Sequence, residues 1–298
     1  MNPYVILVFQ VLFSSGTHIV ANDATQTIPP VILTFLRTII SSVIYLGYML
    51  YRGTHFKFRG KDLLLLLFVS FLSVPINQFV FLYGIKFSTA KEAALLYGLT
   101  PVIVLLISGV YLGEKITKTK SLGSIMAFAG VAVIVLENGL RVGISHVRGD
   151  AFLFIAVIAW ALYTTIGRRL VVRYGAMTTT IYVALIGSLM FAPAGIWYSI
   201  GYNYAALSLG QWLEVLYLGI FTSIVGYVLW YYALSKIDAT RVAVFTNGQP
   251  VMTAVLAYLL LGQEVNATFI MGAAVTIGGV FITQVTPRGK IGATDTRT

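Results

Sequence analysis

The stretch Tyr83–Glu114, YGIKFSTAKEAALLYGLTPVIVLLISGVYLGE, returns at Tyr232–Glu264 as YALSKIDATRVAVFTNGQPVMTAVLAYLLLGQE. A shift of 149, half of the 298 residues, lays Tyr83 on Tyr232, Ala90 on Ala239, Pro101 on Pro250 and Leu112-Gly113 on Leu261-Gly262. The register continues downstream, with Gly123 on Gly272 and Gly130 on Gly279, and upstream, where FLSVPINQFVFLY covers IFTSIVGYVLWYY without a gap. Only the acid slips: Glu114 falls on Gln263, one place before Glu264. The chain is a duplication, so whatever it folds into is built twice.

Composition says where it is built. With 58% hydrophobic and 10% charged residues and a mean hydropathy of +0.88, there are too few polar side chains to cover a soluble domain of this size. Apolar runs of about 20 residues follow one another with short breaks, the length that crosses a bilayer as a helix. Ten spans are read, near Pro3–Ala21, Pro30–Tyr51, Leu63–Tyr83, Ala90–Leu112, Ser121–Glu137, Ala151–Leu170, Ala176–Ile200, Gln211–Tyr232, Ala239–Leu261 and Ala267–Val285. The start, MNPYVILVFQ, has no basic region or small-residue cleavage site and reads as a first span, not a removed signal. Without cysteine there is no disulfide. The net charge of +10 lies in short loops between apolar spans, which speaks for membrane topology and against a nucleic-acid partner.

If the amino end is cytoplasmic, the inside loops hold fourteen Lys and Arg and the outside segments four, Lys86, Lys91, Arg141 and Arg148, which places both termini inside. Five spans per half is an odd number, so the second half must enter the membrane inverted. The expected fold is an all-α membrane protein of ten transmembrane helices in two inverted five-helix repeats, residues 1–140 and 150–287. A polar cytoplasmic tail, 288–298, follows. The connector ENGLRVGISHVRGD marks the boundary between halves. Inverted repeats of this kind build secondary transporters that bind their substrate near the midplane.

The S-T-A-K-E-A-A…T-P-V…L-G-E pattern of the fourth span and its echo A-T-R-V-A…Q-P-V…L-G-Q-E in the ninth resemble the EamA family of the drug/metabolite transporter superfamily over nearly the whole chain. The resemblance implies a bacterial inner-membrane exporter of amino acids or other small metabolites. One departure is Asn22, in T-H-I-V-A-N, where many members carry a lysine.

Taken by spacing, Gln10, Ser14, His18 and Asn22 share one face of the first span, and Ser70, Ser73, Asn77 and Phe81 one face of the third, with Gln78 beside it. Side chains such as these need partners in hydrocarbon, so both faces turn inward, either gluing helices together or lining a path. Asn77 and Gln78 are read as lining. Trp160 and Tyr163 of the sixth span and Tyr227 of the eighth are candidates for a substrate-facing wall, the plainer reading of such aromatics being an interfacial belt. Pro101 and Pro250 interrupt the fourth and ninth spans beside Tyr97-Gly98 and Thr246-Asn247-Gly248-Gln249. They are expected to act as hinges, or simply as static kinks, with Tyr97 and Asn247 at substrate depth. Arg37 and His18 are the titratable groups set into spans; Arg37 either binds a substrate carboxylate, pairs with an acid such as Glu92 or Glu264, or snorkels outward. Gating is expected from charges at span ends, Glu264 with Lys91 or Arg37 outside and Glu114 with Arg241 inside; the bland alternative is that they mark helix ends. The fifth and tenth spans carry small-residue faces suited to the bundle or to a possible homodimer.

No HExxH, GxSxG or phosphate-cradling glycine loop is present, so no enzyme, metal site or cofactor is expected. The sequence reads as an exporter of a small neutral or zwitterionic metabolite working by alternating access in the inner membrane. A multidrug or nucleoside-like exporter and a passive facilitator or channel are the alternatives.

Overall fold

The computed structural model describes residues 2–53, 58, 60–136, 144–261 and 267–285. Among these, nine helices are long and apolar enough to cross a membrane: Pro3–Thr27, Pro30–Arg52, Lys61–Phe87, Ala90–Tyr111, Lys118–Leu136, Val147–Tyr174, Ala176–Ser199, Leu209–Leu234 and Ala267–Gln284. The ninth crossing in chain order, residues 239–261, is helical in three consecutive pieces, Ala239–Ala243, a tight 3₁₀ turn Val244–Asn247, and Gly248–Leu261. No strand occurs among the described residues. Spans are numbered first to tenth below.

The duplication is visible in which spans touch. The second packs on the seventh and the fifth on the tenth, each with its own repeat equivalent. Third-on-sixth contact is answered by eighth-on-first, and third-on-seventh by eighth-on-second. This exchange of partners is what a two-fold relation between the halves requires.

The fifth–tenth pair is the closest. A Cβ on Gly123 would stand 2.6 Å from the Gly279 carbonyl oxygen, and one on Gly130 2.5 Å from that of Gly272, so glycine alone permits the approach. The small-residue faces thus serve the bundle. Thr276 and Thr283 lie in the same seam, their hydroxyls donating back to Gly272 O at 2.8 Å and Gly279 O at 3.0 Å.

Two boundaries and one break bear on the packing and depart from the sequence reading. The first span runs to Thr27, past Ala21, because the polar stretch ANDATQT stays helical: Asn22 Nδ2 donates to the carbonyls of Ile85, in the third span, at 3.0 Å and of Ser88, just past its end, at 3.4 Å. The sixth starts well before Ala151, where Gly149 passes so close to Gly84 that a Cβ would lie 2.8 Å from its carbonyl oxygen. The first span is also broken at Ser15-Gly16. There Tyr217 Oη, which donates to Phe13 O at 2.8 Å, leaves no room for a side chain on Gly16.

Candidate functional site

The third and eighth spans each contain a widened π-helical segment, Leu72–Gln78 and Tyr217–Gly226, at overlapping places in the repeat. In the first half Pro75 removes a backbone donor; in the second Ser223 Oγ donates to the carbonyl of Leu218 at 2.9 Å, five residues back. Such bulges frequently accompany functional sites because they turn side chains off the regular helical register. Pro101 and Pro250 lie not in mid-helix but in the first turn after a break, at Gly98-Leu99 and at Val244–Asn247 respectively. There a proline is compatible with a starting helix.

These four irregular segments face one another around a cavity with about 580 Å³ of empty space, its mouth included. Asn77, Gln78 and Tyr97 of the first half line it, and so do Gly226, Tyr227 and Thr246, the residues that a shift of 149 places on them. The first span contributes Gln10, Ser14, Thr17 and His18; Arg37, Phe81, Trp160, Thr222 and Gln249 complete the wall. Asn77 ties the site together: its Nδ2 donates to Tyr97 Oη and to Ala156 O, both at 2.9 Å, and its Oδ1 accepts from Tyr227 Oη at 3.3 Å. His18, Phe81 and Tyr97 meet edge to face, with ring centroids 5.3–5.6 Å apart.

Two sequence candidates fall behind this wall. Tyr163 is fully buried, stacked between Trp160 at 5.2 Å and Tyr231 at 4.8 Å. Asn247 is also fully buried in its 3₁₀ turn and leaves the wall to Thr246 and Gln249. Thr17 and Thr222 were not signalled by local sequence, whereas Gln249 was, by its place beside Pro250. The repeat register itself was the usable signal for Gly226 and Thr246.

Arg37 is 1% exposed, and its Nε and one terminal nitrogen both donate to Ser223 Oγ, at 3.0 and 2.9 Å. The π-helical segment thus delivers a hydroxyl to a cation in the bundle. Tyr45 Oη donates to the Ser223 carbonyl at 3.1 Å and fixes the same turn.

At one end of the cavity the aromatic stack Trp160–Tyr163–Tyr231, with Trp230 packed 5.2 Å from Trp160, is followed by a cluster of charges. Lys120 Nζ lies 3.0 Å from Asp238 and 3.7 Å from Glu114; Arg168 lies 3.3 Å from Glu114 and 3.9 Å from Asp238; Arg241 Nε lies 3.7 Å from Asp238. Glu114 Oε1 also accepts from the backbone N–H of Ala239 at 2.8 Å, and its Oε2 from Thr240 Oγ1 at 3.3 Å. Glu114 thus lies against Lys120 and Arg168, and Arg241 against Asp238, so that the two residues expected at the inner gate belong to one charge cluster. Lys91 is exposed, and Glu264 lies outside the described residues. Among the described residues no group of side chains has the makings of a metal site.

The chain matches the model of the EamA-like transporter family over residues 2–136 and 147–285. It is 29% identical to the uncharacterized transporter YetK of Bacillus subtilis, over 96% of this chain and 87% of that one. An uncharacterized transporter of Archaeoglobus fulgidus is 27% identical over 94% of this chain and 96% of its own. A probable terminal-alkyne amino-acid exporter of Streptantibioticus cattleyicolor is 24% identical over 75% of this chain and 74% of its own. A solved crystal structure superposes with a TM-score of 0.78 at 20% identity, covering 95% of this chain and 98% of that one, which fixes the fold. The ten apolar crossings, their two-fold packing and the family match over both halves make this a multi-pass membrane protein that belongs to the EamA-like transporter family.

Proposed function

We propose that the protein is a secondary transporter that exports a small neutral or zwitterionic metabolite, an amino acid or a related compound, by alternating access across the cytoplasmic membrane. The observation that carries this reading is the cavity wall: repeat-equivalent residues of both halves face one space, so a rocking motion of one half against the other would expose it to either side in turn. The buried charge cluster then acts as the gate of the cytoplasmic end. The basic residues of the short loops support reading that end, and both termini, as cytoplasmic. The amino-acid exporter among the relatives supports the same substrate class.

Purified protein in liposomes preloaded with a mixture of unlabelled amino acids tests this. Saturable uptake of a labelled amino acid by counterflow is the expected result. Flux that neither saturates nor shows counterflow would make the protein a channel, and the alternating-access reading would fall.

A further inference from the structure

A guanidinium carries five N–H donors and a permanent charge. Arg37 gives two of those donors to one neutral hydroxyl, that of Ser223. Among the described residues no carboxylate lies within ion-pair distance of it, and the ionisable side chains that bear on it are the phenols of Tyr227 and Tyr97. Among the described residues, neither Asp nor Glu lines the cavity that Arg37 faces. A buried cation without a counter-charge is strongly unfavourable in a membrane interior, and its removal by packing an apolar residue would be the cheaper structure. A cation facing a cavity is compensated when the solute brings the anion.

The neutral groups of the wall have the complementary chemistry. Gln10 Oε1 and Gln78 Oε1 are buried acceptors with no partner among the described residues, and Trp160 Nε1 is a buried donor in the same condition. Two amide oxygens on a wall that also carries the rings of Tyr97 and Trp160 suit an ammonium group, which binds carbonyl oxygens and aromatic faces alike. No full negative charge is needed for it.

We infer that the cavity selects solutes by their carboxylate: Arg37 holds the carboxylate of an α-amino acid, and the Gln10 and Gln78 carbonyls take its amino group. Arg37 is then the specificity-determining residue for the acid, and the amino group contributes less, because it meets only neutral partners. This rests on the central cavity being the transport site.

The test uses four compounds of one skeleton: L-phenylalanine, 3-phenylpropionate, L-phenylalaninamide and phenethylamine. Binding to the purified protein is measured by calorimetry, and passage is measured in liposomes. The two carboxylates should bind, and the amide and amine about tenfold or more weakly. Arg37→Gln should abolish that ratio. Arg37→Lys, which keeps the charge and loses the fork, should preserve part of it. The wild-type comparison stands even if Arg37→Gln does not fold. Equal binding of acid and amide, binding of none of the four, or an unchanged ratio in Arg37→Gln would overturn the inference. Carboxylates that bind but do not cross would sink the transport reading and leave this one standing; amide crossing as fast as acid would do the reverse.

Discussion

The fourth and ninth spans begin with equivalent residues, Thr89-Ala90-Lys91-Glu92 and Asp238-Ala239-Thr240-Arg241, yet their helix ends are satisfied in opposite ways. Thr89 and Glu92 form a capping box within the helix, Thr89 Oγ1 accepting from Glu92 N at 3.1 Å and Glu92 Oε2 accepting from Thr89 N at 3.0 Å. Ala239 N is instead capped by Glu114, a residue of the other half. A self-capped helix end can part from its neighbours without stranding backbone donors. An end capped from across the boundary cannot, and Glu114 is held there by Lys120 and Arg168 as well. Near the self-capped end the halves are joined by Ser88 Oγ, 2.5 Å from Asp150, and by Arg148, which donates to Tyr83 Oη at 2.9 Å, neither of which caps the helix start. One duplicated fold thus caps equivalent helix starts in two ways, in cis in the first half and in trans in the second.

Glu114→Gln breaks this difference most severely. It leaves Lys120 and Arg168 with Asp238 alone, which should destabilise the observed state by about 3 kcal/mol, the low end for a broken buried pair, because the cluster retains some exposure. Chemical denaturation against the wild type measures it. Gly130→Val sharpens the comparison from a place where the halves meet as equals. The added side chain meets the Gly272 carbonyl, and stability should fall by about 1–3 kcal/mol with no change in which end is closed. Labelling of cysteines at the two ends would show whether sidedness moved. Thr89→Ala removes the cis cap and should cost about 1 kcal/mol, again without altering sidedness; a shift as large as that of Glu114→Gln would erase the contrast. Lys91→Gln, at an exposed position beside the self-capped end, should stay within about 0.5 kcal/mol of the wild type in stability and leave counterflow unchanged.

The ten crossings and their pairing into halves were legible because hydrocarbon tolerates little besides long apolar helices and the repeat register is ungapped through its most patterned stretch. Asn77, Gln78, Trp160 and Tyr227 stood out as polar or amphipathic groups too costly to face lipid, and the structure places all four on one cavity. The charge cluster was legible only in Glu114 and Arg241, which were expected at the inner end; Lys120, Arg168 and Asp238 were not singled out. Glu114, Lys120, Arg168, Asp238 and Arg241 come from both halves and carry no local spacing, so only the tertiary fold brings them within 4 Å. The π-helical segments were missed for another reason. Pro75 announces one, but its repeat equivalent is Ile224, and the second bulge depends on a side-chain bond from Ser223. The extension of the first span to Thr27 hid behind polar residues whose partners lie at and just past the end of the third span.

The central claim is that the trans cap and its ion pairs hold the inner end shut. The chain has no cysteine, so single reporters are clean. Ser108, fully buried with its Oγ 3.2 Å from Thr240 Oγ1, reports the charged end, and Thr17 reports the cavity. Rates of maleimide labelling of Ser108→Cys and Thr17→Cys are compared with and without Glu114→Gln, in membranes of known orientation. The account predicts that Ser108→Cys becomes reactive from the cytoplasmic side in the Glu114→Gln background, while Thr17→Cys loses reactivity from the outside, because a two-state population has shifted. Unchanged labelling at both positions, or a rise at both together, would contradict it.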